Sequence, residues 1–295
     1  MEYYLQLIIN GLVVGSIYSL VALGFVIIYK ATKVVNFAQG ELVMVGAYTC
    51  FSLTVQFHLP FLAAFFVTLG FSVLLGMAIE RLVLRPLIGE PIISVIMVTI
   101  GLSTVLKSLV QLFWGTQLRA YPQVLPQEPI FLVGLPISPV YIVAFALSLL
   151  LFVVFSVFFK FSRLGIAMRA TAYDQQAAQS MGIGIKNIFA LSWCIAAVVS
   201  SIGGVILGNI NGINSQLGHL GLKVFPAVIL GGLDSLLGAA LGGLIIGVLE
   251  NVCDGAAKDL FALGGFREVA AFVVLVIILM IRPYGLFGTK QIERV

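Results

Sequence analysis

The sequence predicts an all-α polytopic membrane protein, about eight long transmembrane helices plus one short crossing helix, with a weak internal repeat. Three observations carry this. Hydrophobic residues make up 61% of the 295 and charged residues only 9%, against about 25% charged in a soluble domain, so water cannot be the solvent for much of the chain. Apolar runs approaching the ~20 residues needed to cross a bilayer recur from one end to the other. Basic residues fall into alternate loops, as the positive-inside rule requires.

The N-terminus, Met1 to Tyr4, has no basic segment of the kind that opens a signal peptide, so the first run, Leu5–Tyr29, is expected to be retained. Val34 to Glu41 then reads as non-helical, with Asn36, Gln39, Gly40 and Glu41 close together. Leu42–Phe57 and Phe61–Ile79 are the next two spans, the second ending before Arg85 and Pro86. Ile92–Trp114 follows and carries Lys107. Pro122, Pro126, Pro129 and Pro136 favour extended structure over helix in Gly115–Ser138. After the span Val140–Phe159, Ser162 to Met181 has good helix formers, Ser162 as N-cap and Gly182 as C-cap. It is too polar to span and too alanine-rich for disorder, so it predicts a short exposed helix. Ile188–Gly208, Leu236–Val252 and Phe266–Ile281 complete the long runs, and Leu222–Gly232 between them is too short to cross unaided.

Whether Leu222–Gly232 crosses decides the topology. Nine crossings with the N-terminus outside place Lys30, Lys33, Arg81, Arg85, Lys160, Arg163, Arg169, Lys186, Arg282, Lys290 and Arg294 inside. Only Arg119, Lys223, Lys258 and Arg267 remain outside, and Lys107 lies within a helix. That bias predicts an intracellular C-terminus. The repeat agrees: Gly40 to Ala47 resembles Gly232 to Ala239, and each is followed by an Arg-Pro pair, Arg85-Pro86 and Arg282-Pro283. Nine crossings make the two copies parallel.

Several function classes are excluded or disfavoured. Cys50, Cys194 and Cys253 form no CxxC, so neither a disulfide framework nor a metal site is indicated, and the net charge of +4 reflects loop placement rather than nucleic acid. Walker A, HExxH and GxSxG motifs are missing, so the chain reads as a translocator and not an enzyme, with any energy supplied elsewhere. GxxxG spacings at Gly11–Gly15, Gly204–Gly208, Gly238–Gly242 and Gly243–Gly247 point to closely packed helices. Ionisable groups at membrane depth cost about 3 kcal/mol or more unless hydrated or paired. Glu80 and Glu250 lie near helix ends. Glu41 and Asp234 interrupt apolar runs at related repeat positions, either lining a cavity or capping a helix N-terminus.

The blocks GSIYSLVALG (15–24), NFAQGELVMVGAY (36–48), the loop Gly165–Gly182, FPAVILGGLD (225–234) and RPYGLFG (282–288) resemble, in order and over nearly the whole chain, the LivH-type permeases of branched-chain amino-acid ABC importers. The resemblance implies a single transmembrane permease domain, 1–295, in a bacterial inner (plasma) membrane. It implies as partners a second, LivM-like permease, two cytoplasmic ATPase subunits holding ATP and Mg, and an extracytoplasmic solute-binding protein; this chain itself needs no cofactor. It also makes 161–186 the segment the ATPases push on, with Arg163, Gly165, Arg169, Asp174, Ala177, Ala178 and Gly182 as its coupling residues, Arg169 and Asp174 setting register. Asn36, Gln39, Glu41, Asn209, Asn211 and Asp234 are the candidates for the solute path. An ion-coupled secondary transporter or channel for a small solute such as urea or an amide, using Glu41 and Asp234 as ion sites, is the alternative, and a structural membrane subunit is a third class.

Overall fold

The computed structural model describes residues 2–122, 128–132, 135–261, 265–282 and 284–288. Pro126, Pro283, Lys290 and Arg294 lie outside them. The described residues are almost all helical: α1 Glu2–Thr32, α2 Gln39–Phe51, α3 Phe61–Ile79, α4 Ile92–Trp114, α5 Pro139–Phe161, α6 Arg163–Tyr173, α7 Gln175–Ser180, α8 Ile185–Asn211, α9 Leu220–Gly231, α10 Leu236–Phe261 and α11 Phe266–Ile281. Within the proline-rich segment β1 (Ile130–Leu132) pairs antiparallel with β2 (Leu135–Ile137), Phe131 opposite Pro136. Six helical stretches among the described residues are long and apolar enough to cross a membrane: Tyr3–Thr32, Phe61–Leu87, Ile92–Trp114, Pro139–Phe161, Ile185–Asn211 and Leu236–Asp259. The polytopic all-α expectation therefore holds, and six of the expected spans reach crossing length by length and composition alone. The other three apolar runs fall short for different reasons. α11 has 16 residues and α9 has 12, the latter about 18 Å at 1.5 Å per residue. The third, α2, runs for 13 residues and continues as a π-turn, Ser52–Gln56.

Two compact units can be distinguished. One comprises Met1–Val26, Gln127–Phe152 and Lys223–Val295; the other comprises Ile27–Pro126 and Val153–Leu222. In the first, α1 crosses α10 at glycines. A Cβ on Gly247 would sit against the backbone of Gly15, and one on Gly11 would be 2.7 Å from Val248 Cα. Lipid tails offer no hydrophobic drive between helices, so contact this close, with its dispersion gain, is what holds such a crossing. Ser19 adds a hydrogen bond to the carbonyl of Ala240 at 2.6 Å, and the Tyr18 hydroxyl donates to Glu250 at 3.0 Å. Gly247→Leu should therefore lower the thermal midpoint of the purified protein by several degrees, the effect of an overpacking cost of about 1–3 kcal/mol. Gly101→Leu, at a position with open space around it, should leave the midpoint within a degree, and equal midpoints for the two variants would contradict the crossing.

The second unit is built on α8, which packs α2 on one side and α3 on the other. Gly46 and Gly204 make the α2–α8 crossing, against Ser201 and the carbonyl of Val43, and Gly76 of α3 abuts the Trp193 carbonyl, where a Cβ would lie at 2.7 Å. The core between them holds Ile28, Ala38, Leu42, Ile79, Leu84, Leu106, Trp193, Ala196 and Ala197. Twelve of the 13 residues of α2 are buried, Thr49 being the exception. A helix apolar nearly all round belongs inside a bundle, and α2 is enclosed by protein rather than lipid. At its far end the Tyr121 hydroxyl donates to the Ala47 carbonyl at 2.8 Å. Burial holds that phenol well above its ordinary range, so it stays a neutral donor. Arg119 and Ile213 exchange backbone hydrogen bonds of 2.9 and 2.7 Å, tying the end of α8 to the segment after α4.

Two local expectations are corrected. The non-helical patch ends at Ala38, not Glu41: the Asn36 side-chain oxygen accepts the Ala38 N–H at 3.0 Å, turning the chain so that Gln39, Gly40 and Glu41 form the first turn of α2. The single exposed helix expected over Ser162 to Met181 is two helices. Asp174 adopts an extended backbone and accepts from the N–H groups of Gln176 and Ala177, ending α6 and capping α7, which is what an Asp side chain does better at a cap than inside a helix. Ser162 caps α6 as expected, through the Gly165 N–H at 2.8 Å, and Gly182 turns out of α7 at φ +82°.

Candidate translocation and coupling sites

The extended segment between α1 and α2 does not return to the start of α4. It meets α4 part-way along, where the Phe37 N–H faces the Thr99 hydroxyl at 3.4 Å. From there α2 begins beside the middle of α4, near Ser103. The 310 turn Ser215–His219 brings the start of α9 to the same level, where Gly40 meets the backbone of Gly218 and Gly221. Two helix N-termini thus converge half-way along a spanning helix. Broken helices of this kind are tolerated at depth when buried in protein, and they bring unsatisfied N–H groups and polar side chains to one place.

Three of the six path candidates gather there. Asn36 and Gln39 have no exposed surface. Asn36 Nδ2 donates to Gln39 Oε1 at 3.1 Å, and Gln39 Nε2 donates to Ser200 Oγ of α8 at 2.6 Å. This chain of amides ties the α1–α2 turn to α8. Glu41, 7% exposed, turns Oε1 toward Gly218 and leaves Oε2 buried with no hydrogen-bond partner. Ser103 and Lys107 of α4 neighbour the carboxylate. Lys107 Nζ in turn lies 3.3 Å from His219 Nε2.

The other three candidates are elsewhere. Asn209 donates back to the Val205 carbonyl of its own helix at 2.8 Å, and Asn211 is exposed at the end of α8. Asp234 lies in the turn between α9 and α10, in the other unit, and a Cβ on Gly288 would be 3.4 Å from its Oδ1. The repeat pairing of Glu41 with Asp234 is therefore not a structural equivalence: one is in the first turn of a helix, the other in a turn before one. Sequence reasoning named neither Ser200, Ser103 nor His219 for the site. Serines and a lone histidine on apolar runs carry no spacing signal, and only the fold brings residues 107 and 219 together.

A cavity of about 290 Å³ in the same unit is lined by Thr32, Lys33, Asn36, Glu80, Glu90, Thr99, Gln175 and Trp193. Glu80, buried, is held by Arg85 at 2.9 Å. The cavity reaches from the amide cluster at Asn36 to Gln175, the first residue of α7.

In the 161–186 segment the expected coupling residues divide by role. Gly165 is where α6 folds back on α5: a Cβ there would lie 2.6 Å from the Phe159 carbonyl. Arg169 donates to the Lys160 carbonyl at 3.1 Å, closing the C-terminus of α5, and Asp174 caps α7. Both charges are used within the segment, which leaves them poorly placed to set register with a partner. Ala178 is buried, whereas Arg163, Ala177 and Gly182 are exposed. Five large apolar side chains of the segment are exposed with them, Phe161, Leu164, Ile166, Tyr173 and Met181; the two most exposed, Tyr173 at 96% and Met181 at 82%, flank α7. The two flank a capped polar turn, and both are legible in the sequence once Asp174 is recognised as a cap.

Comparison with known proteins places this geometry. The chain is 36% identical over 307 residues to the high-affinity branched-chain amino acid transport system permease protein BraD of Pseudomonas aeruginosa, with 99% of this chain and 98% of that protein covered. It is 31% identical, with the same coverage, to the permease protein LivH of the corresponding system of Escherichia coli K12. Among solved structures, a chain of PsaBC from Streptococcus pneumoniae in complex with Fab shares the fold at a TM-score of 0.52 and 14% identity, covering 95% of this chain and 92% of that one. The description "Branched-chain amino acid transport system / permease component" matches residues 7–282. The chain is a multi-pass membrane protein and belongs to the family of permease components of branched-chain amino acid transport systems.

Proposed function

We propose that this chain is the translocation subunit of an ATP-driven importer in the inner membrane, passing a branched-chain amino acid to the cytoplasm by alternating access. It works beside a second permease subunit, two cytoplasmic ATPases that hold ATP and Mg, and an extracytoplasmic binding protein. The observation that carries this reading is the continuity of α6–α7 with α8 and of α8 with α2. The exposed, twice-capped segment leads directly into the helix that packs along α2, and the amide chain Gln39–Ser200 fastens that helix to the start of α2. A push on Tyr173 and Met181 is carried by rigid elements to the polar cluster at Glu41. Isolation of this chain from its native membranes in mild detergent should bring ATPase subunits with it in a fixed ratio. A chain that purifies alone at every detergent tested would argue against the reading.

Nine crossings with the C-terminus inside fit this scheme. α2 and α9 are short because each starts at mid-depth: the segments before them, 33–38 and 212–219, enter from opposite faces and complete the crossing, the first as extended chain and the second ending in the 310 turn Ser215–His219. A C-terminal alkaline phosphatase fusion should be inactive and a green fluorescent protein fusion bright; the reverse pattern would remove the odd number of crossings.

One observation favours the ion-coupled alternative: the unpartnered oxygen of Glu41 is what a proton- or cation-binding carboxylate would present. The energy source of uptake separates the two.

A further inference from the structure

The cluster around Glu41 has two ends of opposite charge that no ion pair among the described residues joins. Glu41 Oε2 is shut from solvent and accepts nothing, which for a carboxylate oxygen in a low-dielectric interior is costly unless a donor arrives. Lys107 and Glu41 form no ion pair within 4 Å; the lysine instead stands 3.3 Å from His219 Nε2, and the adjoining Gly218 lies against Glu41 Oε1. An ammonium has three donors, so one on His219 leaves two free. The first turns of α2 and α9 converge on the same point with partial positive charge, which favours an anionic group beside Lys107. The close approach of Gly40 to Gly218 and Gly221 fixes these parts relative to one another: both contacts are backbone to backbone and have no freedom to drift.

We infer that this cluster is a binding site for the two-charged head of an α-amino acid, with Glu41 Oε2 accepting from the ammonium while Lys107, backed by His219, donates to the carboxylate. A ligand with only one of these charges leaves the opposite end unpaired, and a neutral amide or urea can hydrogen-bond at both ends but neutralises neither charge. The site thus reads the head group common to the transported class rather than the side chain. The inference rests on the importer reading above and assigns the residues that hold the solute in transit.

The test uses the complete importer in proteoliposomes, with radiolabelled L-leucine delivered by its binding protein, reading uptake and ATP hydrolysis together. Glu41→Gln and Lys107→Gln should each lower leucine uptake about tenfold or more, while stimulation of ATP hydrolysis by the loaded binding protein persists, and Glu41→Asp should recover part of the uptake. Full uptake in either glutamine variant overturns the site. Loss of both uptake and hydrolysis, with Glu41→Asp no better than Glu41→Gln, also overturns it, since that pattern belongs to a packing role. If the wild-type importer takes up no leucine with ATP, the importer reading itself falls, whatever the variants do.

Discussion

Replacing Gly40 by alanine should leave little functional protein. A Cβ at this position would be driven into the carbonyl oxygen of Gly218 and would lie 2.6 Å from the Gly221 nitrogen. Both atoms are main chain, so no side-chain rotation relieves the clash, and the start of α2 must separate from the start of α9. Overpacking where a flexible side chain can yield costs about 1–3 kcal/mol, and a clash of backbone on backbone lies at or beyond the upper end. That is a large share of a stability of about 5–15 kcal/mol. Gly221→Ala should behave alike, because its Cβ would stand 2.7 Å from the Gly40 nitrogen. Gly70→Ala, with nothing within 4 Å, is the control. Thermal midpoints in detergent should fall by several degrees for Gly40→Ala and Gly221→Ala, with uptake lost. Wild-type midpoint and uptake in Gly40→Ala would mean that the two helix starts do not meet.

The second large effect is expected at the ends of α7. Tyr173 and Met181 are almost wholly exposed on a segment otherwise built from polar residues and alanine, and neither supports the fold. Truncating both to alanine should therefore leave insertion and thermal midpoint unchanged. A contact in which both enter a partner's pocket loses several kcal/mol on such truncation, as buried aromatic anchors do, so ATP-driven uptake should fall at least tenfold. Ala177→Trp, between them, should act the same way by keeping the partner away. Arg169 is a poorer probe, because its replacement frees the Lys160 carbonyl and loosens the segment itself. Unaltered ATP-driven uptake in the double variant Tyr173→Ala, Met181→Ala would place coupling elsewhere.

The fold class was legible because lipid leaves so few solutions: only helices and closed barrels satisfy the backbone, and with 9% charge and unbroken apolar runs near 20 residues the chain takes the helical one. Most span boundaries could be read within a few residues, as for Phe61–Ile79 and Ile92–Trp114, where a proline precedes an apolar run. The short run before Gly232 was recognisable as anomalous, but its cause was hidden. Length alone cannot reveal that α9 starts beside the start of α2, since that depends on Gly221 meeting Gly40 from 181 residues away. At the site, Asn36, Gln39 and Glu41 announced themselves as polar residues in apolar surroundings. Their partners did not, because Ser200, Ser103 and His219 are ordinary residues until tertiary packing aims them. Asp234 stands one place further along the repeat than Glu41 and differs from it in setting, since glycine and leucine around an acidic residue specify a turn as readily as a helix start. In the 161–186 segment the caps were readable from Ser162 and Gly182. The break at Asp174 was missed because alanine-rich flanks favour a continuous helix, and only the side chain's stronger preference for a cap divides it.

Uptake energetics test the central claim most directly. Proteoliposomes carrying this chain with its second permease and ATPase subunits, and supplied with leucine-loaded binding protein, should accumulate leucine when ATP and Mg are present on the ATPase side. Accumulation should survive a protonophore and stop when the ATPase subunits are omitted. Leucine accumulation by this chain alone, driven by a proton gradient and abolished by the protonophore, would contradict the account and make Glu41 an ion-coupling carboxylate.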